Sequence, residues 1–238
     1  QPKSSHFGDC PICFLPLAIN ERSGNVLMSC CSKAICDGCW YANKIRELNA
    51  SLKRKCPFCR HSVPVAKAEI DANIMKRVEA NDTFTTGFEG IRRYDEGDYG
   101  SAFEYLSKAA RLGDVDSHYQ LSVMHLEGEV VEKDEQMAVY HLEEAAIAGH
   151  PIARYNLGVI EWINGREERA AKHYIIAANQ GHNHSVGKLK KCYKEGSVSK
   201  EDFAAALRAH QAAVDATKSP QREEAYKVDK LTYLRHAF

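Results

Sequence analysis

Beyond residue 66 the distribution of apolar positions predicts helix. Residues 67–80 place Ile70, Ile74, Met75 and Val78 at helical spacing, opposite a face rich in Lys and Glu that reads as an ordinary solvated surface. A connecting helix is expected there, after a linker at His61-Ser62-Val63-Pro64-Val65. Downstream the pattern repeats. Ala109-Ala110-Arg111-Leu112-Gly113, Ala145-Ala146-Ile147-Ala148-Gly149 and Ala177-Ala178-Asn179-Gln180-Gly181 share the form A-A-x-x-G, at intervals of 36 and 32 residues. Such a period signals stacked helical hairpins, each needing its neighbours to bury its apolar face. Small alanines let helices approach closely, and Tyr119, Leu121, Tyr155 and Leu157 are the larger core candidates. A second glycine recurs at Gly97, Gly128, Gly165 and Gly196, suited to the left-handed conformation that ends a first helix. After Val214 the run from Thr217 to Ala225 marks a break and then a last helix starting at Ser219 or Pro220, with Tyr226 to Phe238 as a terminal cap or frayed end.

Composition divides the chain further. Its 238 residues suit one large domain or two or three modest ones, and 44% hydrophobic residues suffice for real cores. No apolar run approaches the ~18–20 residues of a membrane span, so no membrane partner is expected. The 32 basic and 32 acidic residues cancel, but unevenly: residues 1–66 hold nine Lys or Arg against four Asp or Glu, net +5, and residues 67–238 hold 23 against 28, net −5. The chain begins at Gln1, as a processed product or a fragment would, so the lack of a signal peptide carries no information.

Eight of the nine cysteines lie between Cys10 and Cys59: Cys10-x-x-Cys13, Cys30-Cys31, Cys36-x-x-Cys39 and Cys56-x-x-Cys59. The C-x-x-C spacing suits two thiolates on one metal ion, and eight thiolates satisfy two tetrahedral zinc ions. A segment of this size with few large aliphatics needs metal for much of its folding free energy. The spacing alone accommodates interleaved or sequential pairing. His61, just behind Cys59, is the nearby rival ligand.

Over residues 8–62 this order resembles the RING family, in an all-cysteine variant. The family's usual C-x-H is replaced by Cys31-Ser32-Lys33, and since lysine at neutral pH cannot ligate zinc, Cys30 supplies the missing ligand. The resemblance implies interleaved sites, with Cys10, Cys13, Cys36 and Cys39 on one Zn2+ and Cys30, Cys31, Cys56 and Cys59 on the other. It also implies a docking surface for a ubiquitin-charged conjugating enzyme. The family forms that surface from an aliphatic residue inside the first C-x-x-C, a proline after the first Cys of the last pair and a basic residue after its last Cys. Ile12, Pro57 and Arg60 match, and Trp40 follows Cys39 closer than the tryptophan some members use. The bland reading is that Ile12 and Phe58 pack a minimal core and Pro57 shapes the zinc knuckle.

The helical remainder resembles Sel1-like repeats, a tetratricopeptide-related family with A-x-x-x-L-G-x-x-Y-x-x-G followed by K-A and A-A-x-x-G. The middle units carry it best, in Ala153-Arg154-Tyr155-Asn156-Leu157-Gly158 and in Gly128-Glu129-Val130-Val131-Glu132-Lys133-Asp134. Units are expected near 81–114, 115–150, 151–182 and 183–215. The first lacks a clear A-x-x-x-L-G, and the last has Leu207-Arg208-Ala209-His210 in place of A-A-x-x-G, as end units that stack on one side can.

The fold expected is therefore a small zinc-stabilised domain at 8–62, a linker and helix at 63–80, an all-α solenoid at 81–215 and a capping helix or tail at 216–238. The resemblances imply a ubiquitin ligase or ligase subunit whose repeats bind a protein substrate or peptide. Every cysteine of the zinc segment is committed to metal and none is left there as a nucleophile, so the chain would act as an adaptor. The alternative is a non-catalytic zinc-containing interaction scaffold. Lys53-Arg54-Lys55 lacks interleaved aromatics or a finger-type His pair, so nucleic acid is not expected. Tyr119, Tyr155 and Trp162 read as core, His182-Asn183-His184 as a turn without catalytic partners, and Cys192 as a buried small hydrophobe. Reduced zinc-bound cysteines fit a cytosolic or nuclear setting.

Overall fold

The structure, a computed structural model, describes residues 6–18, 25–128 and 131–236. Glu129 and Val130 of the second repeat motif, and the terminal Phe238, lie outside the described residues. The chain forms two compact units, one of residues 81–215 and one of residues 3–80 together with 216–238.

Residues 81–215 form helix after helix, in pairs. They are α3 (Thr83–Asp95) and α4 (Tyr99–Arg111), α5 (Val115–Glu127) and α6 (Glu135–Ile147), α7 (Pro151–Ile163) and α8 (Glu167–Asn179), and α9 (Asn183–Lys194) and α10 (Lys200–Ala216). Several start on a side chain that accepts from a first-turn amide: Asp82 from Thr85, Asp98 from Ser101, Asp114 from Ser117, Asp134 from Gln136 and Met137, and His150 from Ala153. Gly128 closes α5 at φ 71°, and Gly97, Gly165 and Gly196 share that left-handed conformation.

Position within each helix explains the repeat. The third residue of α3, α5, α7 and α9 is Thr85, Ser117, Ala153 or Ser185, and all four are buried. The seventh is Leu121, Leu157 and Leu189 in the last three, but Glu89 in α3, also completely buried. That substitution, with Thr85 at the alanine position, is why the first unit shows no A-x-x-x-L-G motif. Glu89 is neutralised within its own helix: Arg92 donates to both carboxylate oxygens at 2.8 and 2.9 Å, and Arg93 Nε donates to Oε1 at 2.7 Å. In α4, α6 and α8 the eleventh and twelfth residues are the alanine pairs, all buried. Their eighth residues, Leu106, Leu142 and Tyr174, are wholly buried, each leucine contributing about 1.5–3 kcal/mol. Glycine makes room for two of these: a Cβ on Gly90 would meet Leu106 Cγ at 2.7 Å, and one on Gly158 would meet Tyr174 Cε1 at 2.6 Å. Tyr119, Tyr155 and Trp162 are half-buried and packed against the core, and Cys192 is completely buried among Tyr174, Leu189 and Val198.

The other unit is built on a short antiparallel hairpin, β1 (Asn25–Met28) and β2 (Lys33–Cys36), with Val26 opposite Ile35. It adds α1 (Asp37–Asn49), α2 (Lys67–Glu79) and the last helix, α11 (Pro220–His236). Its core is Leu17, Met28 and Ile35 with Cys10, Cys36 and Cys56. Ile74 and Val78 bury the apolar stripe of α2. Helix α11, which begins at Pro220 with Ser219 Oγ accepting from the Arg222 amide, packs on α1. No described helix is long and apolar enough to cross a membrane.

Candidate metal centre

Two tight turns, one hairpin and the first turn of α1 carry the eight sulfurs. In the first turn the Phe14 amide donates to the Cys10 carbonyl at 2.9 Å, and Phe14 sits at φ 56°. The last turn copies it: the Arg60 amide donates to the Cys56 carbonyl at 3.0 Å, and Arg60 sits at φ 65°. The hairpin turn between β1 and β2 presents Cys30 and Cys31, held by the Cys31 and Ser32 amides on the Met28 carbonyl at 3.0 and 2.8 Å. Strand β2 delivers Cys36 to the N-cap of α1, where its sulfur accepts from the Cys39 amide at 3.4 Å.

The chain thereby gathers sulfurs remote in sequence. Those of Cys10, Cys13, Cys36 and Cys39 lie within 4.8 Å of one another, as do those of Cys30, Cys31, Cys56 and Cys59, so the two clusters interleave along the sequence. Each could hold a metal ion. A tetrahedral zinc with Zn–S bonds of about 2.3 Å requires S···S edges of about 3.8 Å. Cys13 to Cys36 and Cys31 to Cys56 are each 3.8 Å, and Cys30 to Cys59 is 3.3 Å. Backbone amides point at the sulfurs as well: Cys36 N at Cys10, and Phe58 N and Cys59 N at Cys56, at 3.4–3.5 Å.

Burial works against the Cys10 thiolate, yet amides of Cys36, Cys13 and Ile12 bring it down to about 7. Burial likewise opposes the Cys59 thiolate, but His61 and neighbouring thiols lower it to about 6. Cys31 is pushed up to about 11 by burial and by Cys56 and Cys59, and Cys30 and Cys39 are raised by burial and by the sulfurs beside them. A divalent cation held by four such sulfurs would favour the anion of each.

Around the clusters, Ile12 is 37% exposed, Phe14 77% and Phe58 46%, so the apolar tips of both turns face solvent and the core is made elsewhere. Pro57 is half-buried and Arg60 exposed. Lys33, where the RING pattern would place histidine, is exposed with its ammonium 5.6 Å from the Phe58 ring centre. Trp40 is half-buried against the core, and the Arg54 guanidinium lies 4.9 Å from its ring centre. His61 is exposed, and its carbonyl accepts from the Cys56 amide at 2.7 Å.

Three supporting side chains have no local sequence signal. Buried Glu47 of α1 accepts from the Lys55 amide at 3.1 Å, bracing the loop that leads to the last cysteine pair. Arg77 of α2 donates to the Cys30 carbonyl at 2.6 Å. Arg222 of α11 is 4% exposed and donates to the carbonyls of Pro16, Leu15 and Thr217 and to Cys13 Sγ.

In the helical unit the histidines form local contacts. His182 N-caps α9 beside the Ser185 hydroxyl at 2.9 Å, and burial, reinforced by His184, His150 and His210, holds it down to about 4. His118 and His141 face each other with Nδ1 atoms 3.0 Å apart, and His125 stacks on His141.

The helical register, with its paired alanines and its recurrent Leu and Gly positions, coincides with a known repeat. The Sel1 repeat family model matches residues 86–114, 115–150 and 151–182. Residues 86–182 are Sel1 repeats. The first match covers the unit in which Glu89 stands in for leucine. A curated relative, chitin synthase regulatory factor 4 of Schizosaccharomyces pombe, is 29% identical over 103 residues, 40% of this chain and 16% of that protein. Among solved structures, a Sel1 repeat protein from Oxalobacter formigenes is 27% identical, with a TM-score of 0.46, covering 53% of this chain and 99% of that one. The c5321 protective antigen of uropathogenic Escherichia coli, which displays an SLR fold, is 22% identical, with a TM-score of 0.49, covering 71% of this chain and 36% of that one. The Sel1 repeats point to a protein–protein interaction scaffold.

Proposed function

We propose that this scaffold is a RING-type ubiquitin ligase or ligase subunit. In this reading two zinc ions fold the cysteine-rich unit, the tips of its turns dock a ubiquitin-charged conjugating enzyme, and the Sel1 repeats hold a protein client. The observation that carries it is the exposure of Ile12 and Phe58 beside two four-sulfur clusters. Side chains that merely filled a minimal core would be buried, and that core is made by Leu17, Met28 and Ile35 instead. Zinc, closed in four sulfur ligands, would supply folding energy and no open coordination position. Ile12 and Pro57 would give the conjugating enzyme a shallow apolar contact, and Arg60 would offer its fixed fork of donors to the enzyme and to ubiquitin. The rate enhancement would come from holding the donor thioester in one orientation for a client lysine. Trp40, packed inward under Arg54, would support the surface from behind.

A second reading, an interaction scaffold without ligase activity, is favoured by the family match, which covers residues 86–182 and leaves the cysteine-rich segment to its own geometry. Autoubiquitination with a panel of conjugating enzymes separates the two. The intact chain should build ubiquitin chains with at least one enzyme, and Ile12→Ala and Arg60→Ala should abolish or strongly reduce them while native mass spectrometry still counts two zinc ions. A folded, zinc-loaded chain inactive with every enzyme would leave the scaffold alone.

A further inference from the structure

Cys13 closes the first turn, and in the loop behind it the Leu15 carbonyl accepts from the Cys10 amide at 2.9 Å. A second donor to Leu15, and a donor to the Pro16 carbonyl, come from 207 and 206 residues downstream. Arg222 Nη1 donates to the Pro16 carbonyl at 2.7 Å and to the Thr217 carbonyl at 2.8 Å, and Nη2 reaches the Leu15 carbonyl at 3.3 Å and Cys13 Sγ at 3.6 Å. Two nitrogens thus tie the α11 entry, the first turn and one sulfur together. A buried guanidinium is a costly device unless its donors are matched, and here Nη1 and Nη2 are matched by carbonyls and a sulfur of the same unit, while Nε has no hydrogen-bond partner among the described residues. The opposing surface is shaped for it. Gly38 of α1, between Cys36 and Cys39, is buried, and a Cβ there would lie 2.7 Å from the Arg222 backbone nitrogen and 2.9 Å from its Cα. Helix α11 therefore rests on the backbone of the third cysteine pair while its arginine holds the first.

We propose that α11 is a clasp on the first four-cysteine site, with Arg222 as a positioning residue that controls how firmly Cys10, Cys13, Cys36 and Cys39 retain their metal. The proposal rests on the reading of both clusters as zinc sites. The second cluster has a different support, Arg77 of α2 on the Cys30 carbonyl, so the clasp acts on one site only. Outer-shell partners of metal ligands typically govern retention by about 10–100-fold.

The test uses the full-length, zinc-loaded chain, with its metal counted by native mass spectrometry. Pulse alkylation during challenge with excess chelator, mapped peptide by peptide, reads each cysteine separately. Arg222→Gln should raise the alkylation rate of Cys10, Cys13, Cys36 and Cys39 by about tenfold or more, with Cys30, Cys31, Cys56 and Cys59 unchanged. Gly38→Ala, which removes no hydrogen-bonding group, should produce the same selective opening by lifting α11. Arg222→Lys, which keeps the charge without the fork, should fall between. Equal acceleration of both sets would mean general unfolding and would overturn the clasp, as would no change in the first set when two zinc ions are bound. A wild-type chain that takes up no zinc would instead refute the metal reading, and the clasp with it.

Discussion

Two glycines in the helices of the repeats offer a direct measure of how tightly the hairpins interlock. Gly187, in α9, is exposed, and a Cβ added there meets nothing within 4 Å. Gly158, in α7, would place its Cβ 2.6 and 2.8 Å from two ring carbons of Tyr174 and 3.2 Å from His173 Cβ. Replacing glycine by alanine inside a helix ordinarily gains about 1 kcal/mol. Gly187→Ala should therefore stabilise the chain by about that amount. At Gly158 the same gain is opposed by overpacking, about 1–3 kcal/mol, because the Tyr174 ring is completely buried and has nowhere to swing. The propensity gain is common to both substitutions, so their difference isolates the clash: Gly158→Ala should be less stable than Gly187→Ala by about 1–3 kcal/mol. Urea denaturation of the full chain, followed by far-ultraviolet circular dichroism, measures this, since helices of the repeats dominate the signal. Equal midpoints and slopes for the two variants would show that α7 and α8 do not need glycine to approach, and the close-packing argument would fall.

Glu89→Leu installs the residue that the other three units use at this position, and Arg92 and Arg93 have side chains 21% and 32% exposed, with Arg93 also 3.7 Å from Asp98. Urea midpoints should stay level or rise by about 1 kcal/mol, and a loss beyond about 3 kcal/mol would mean that the charge cluster itself is required. Acid should weaken the helical unit in a defined window. Burial, then His118 and His125, hold His141 down to about 4 from its ordinary 6.5. Between those values the unfolded chain binds the extra proton, so the stabilising contribution is whole above pH 6.5 and is lost as pH falls towards 4. His182, also held to about 4, acts over the same range, so His141→Phe should reduce the slope of stability against pH without removing it. An unchanged slope would show that the imidazole cluster does not set the acid sensitivity.

The repeats were legible because their information is local: a pair of alanines and a glycine three residues after the second report a close helix crossing and a turn wherever they occur. The cysteine clustering was legible for a similar reason, since C-x-x-C puts two sulfurs on one tight turn at Cys10–Cys13 and at Cys56–Cys59. Glu89 was not legible, because a carboxylate violates the apolar pattern of a buried position, and only its geometry with Arg92 and Arg93 shows how the charge is satisfied. Glu47 and Arg222 escaped for another reason. Each braces a loop, 8 residues away for Glu47 and 206 for Arg222, through a backbone amide or carbonyl, which leaves no side-chain signature at the other end. The exposure of Ile12, Phe14 and Phe58 likewise depended on knowing that three other residues had already filled the core.

The separation between Arg222 and the turn it holds also imposes an order on synthesis. When Cys59 emerges, all eight clustered sulfurs exist, but the arginine lies 163 residues further on. At about 5–20 residues per second it arrives roughly 8–30 s later, after the whole run of Sel1 repeats has been made. A nascent chain, or one cut short after the repeats, therefore carries the Sel1 repeats beside a first cysteine turn whose guanidinium partner is missing. The last helix makes the finished state of the cysteine-rich unit a report that translation has reached the end of the solenoid.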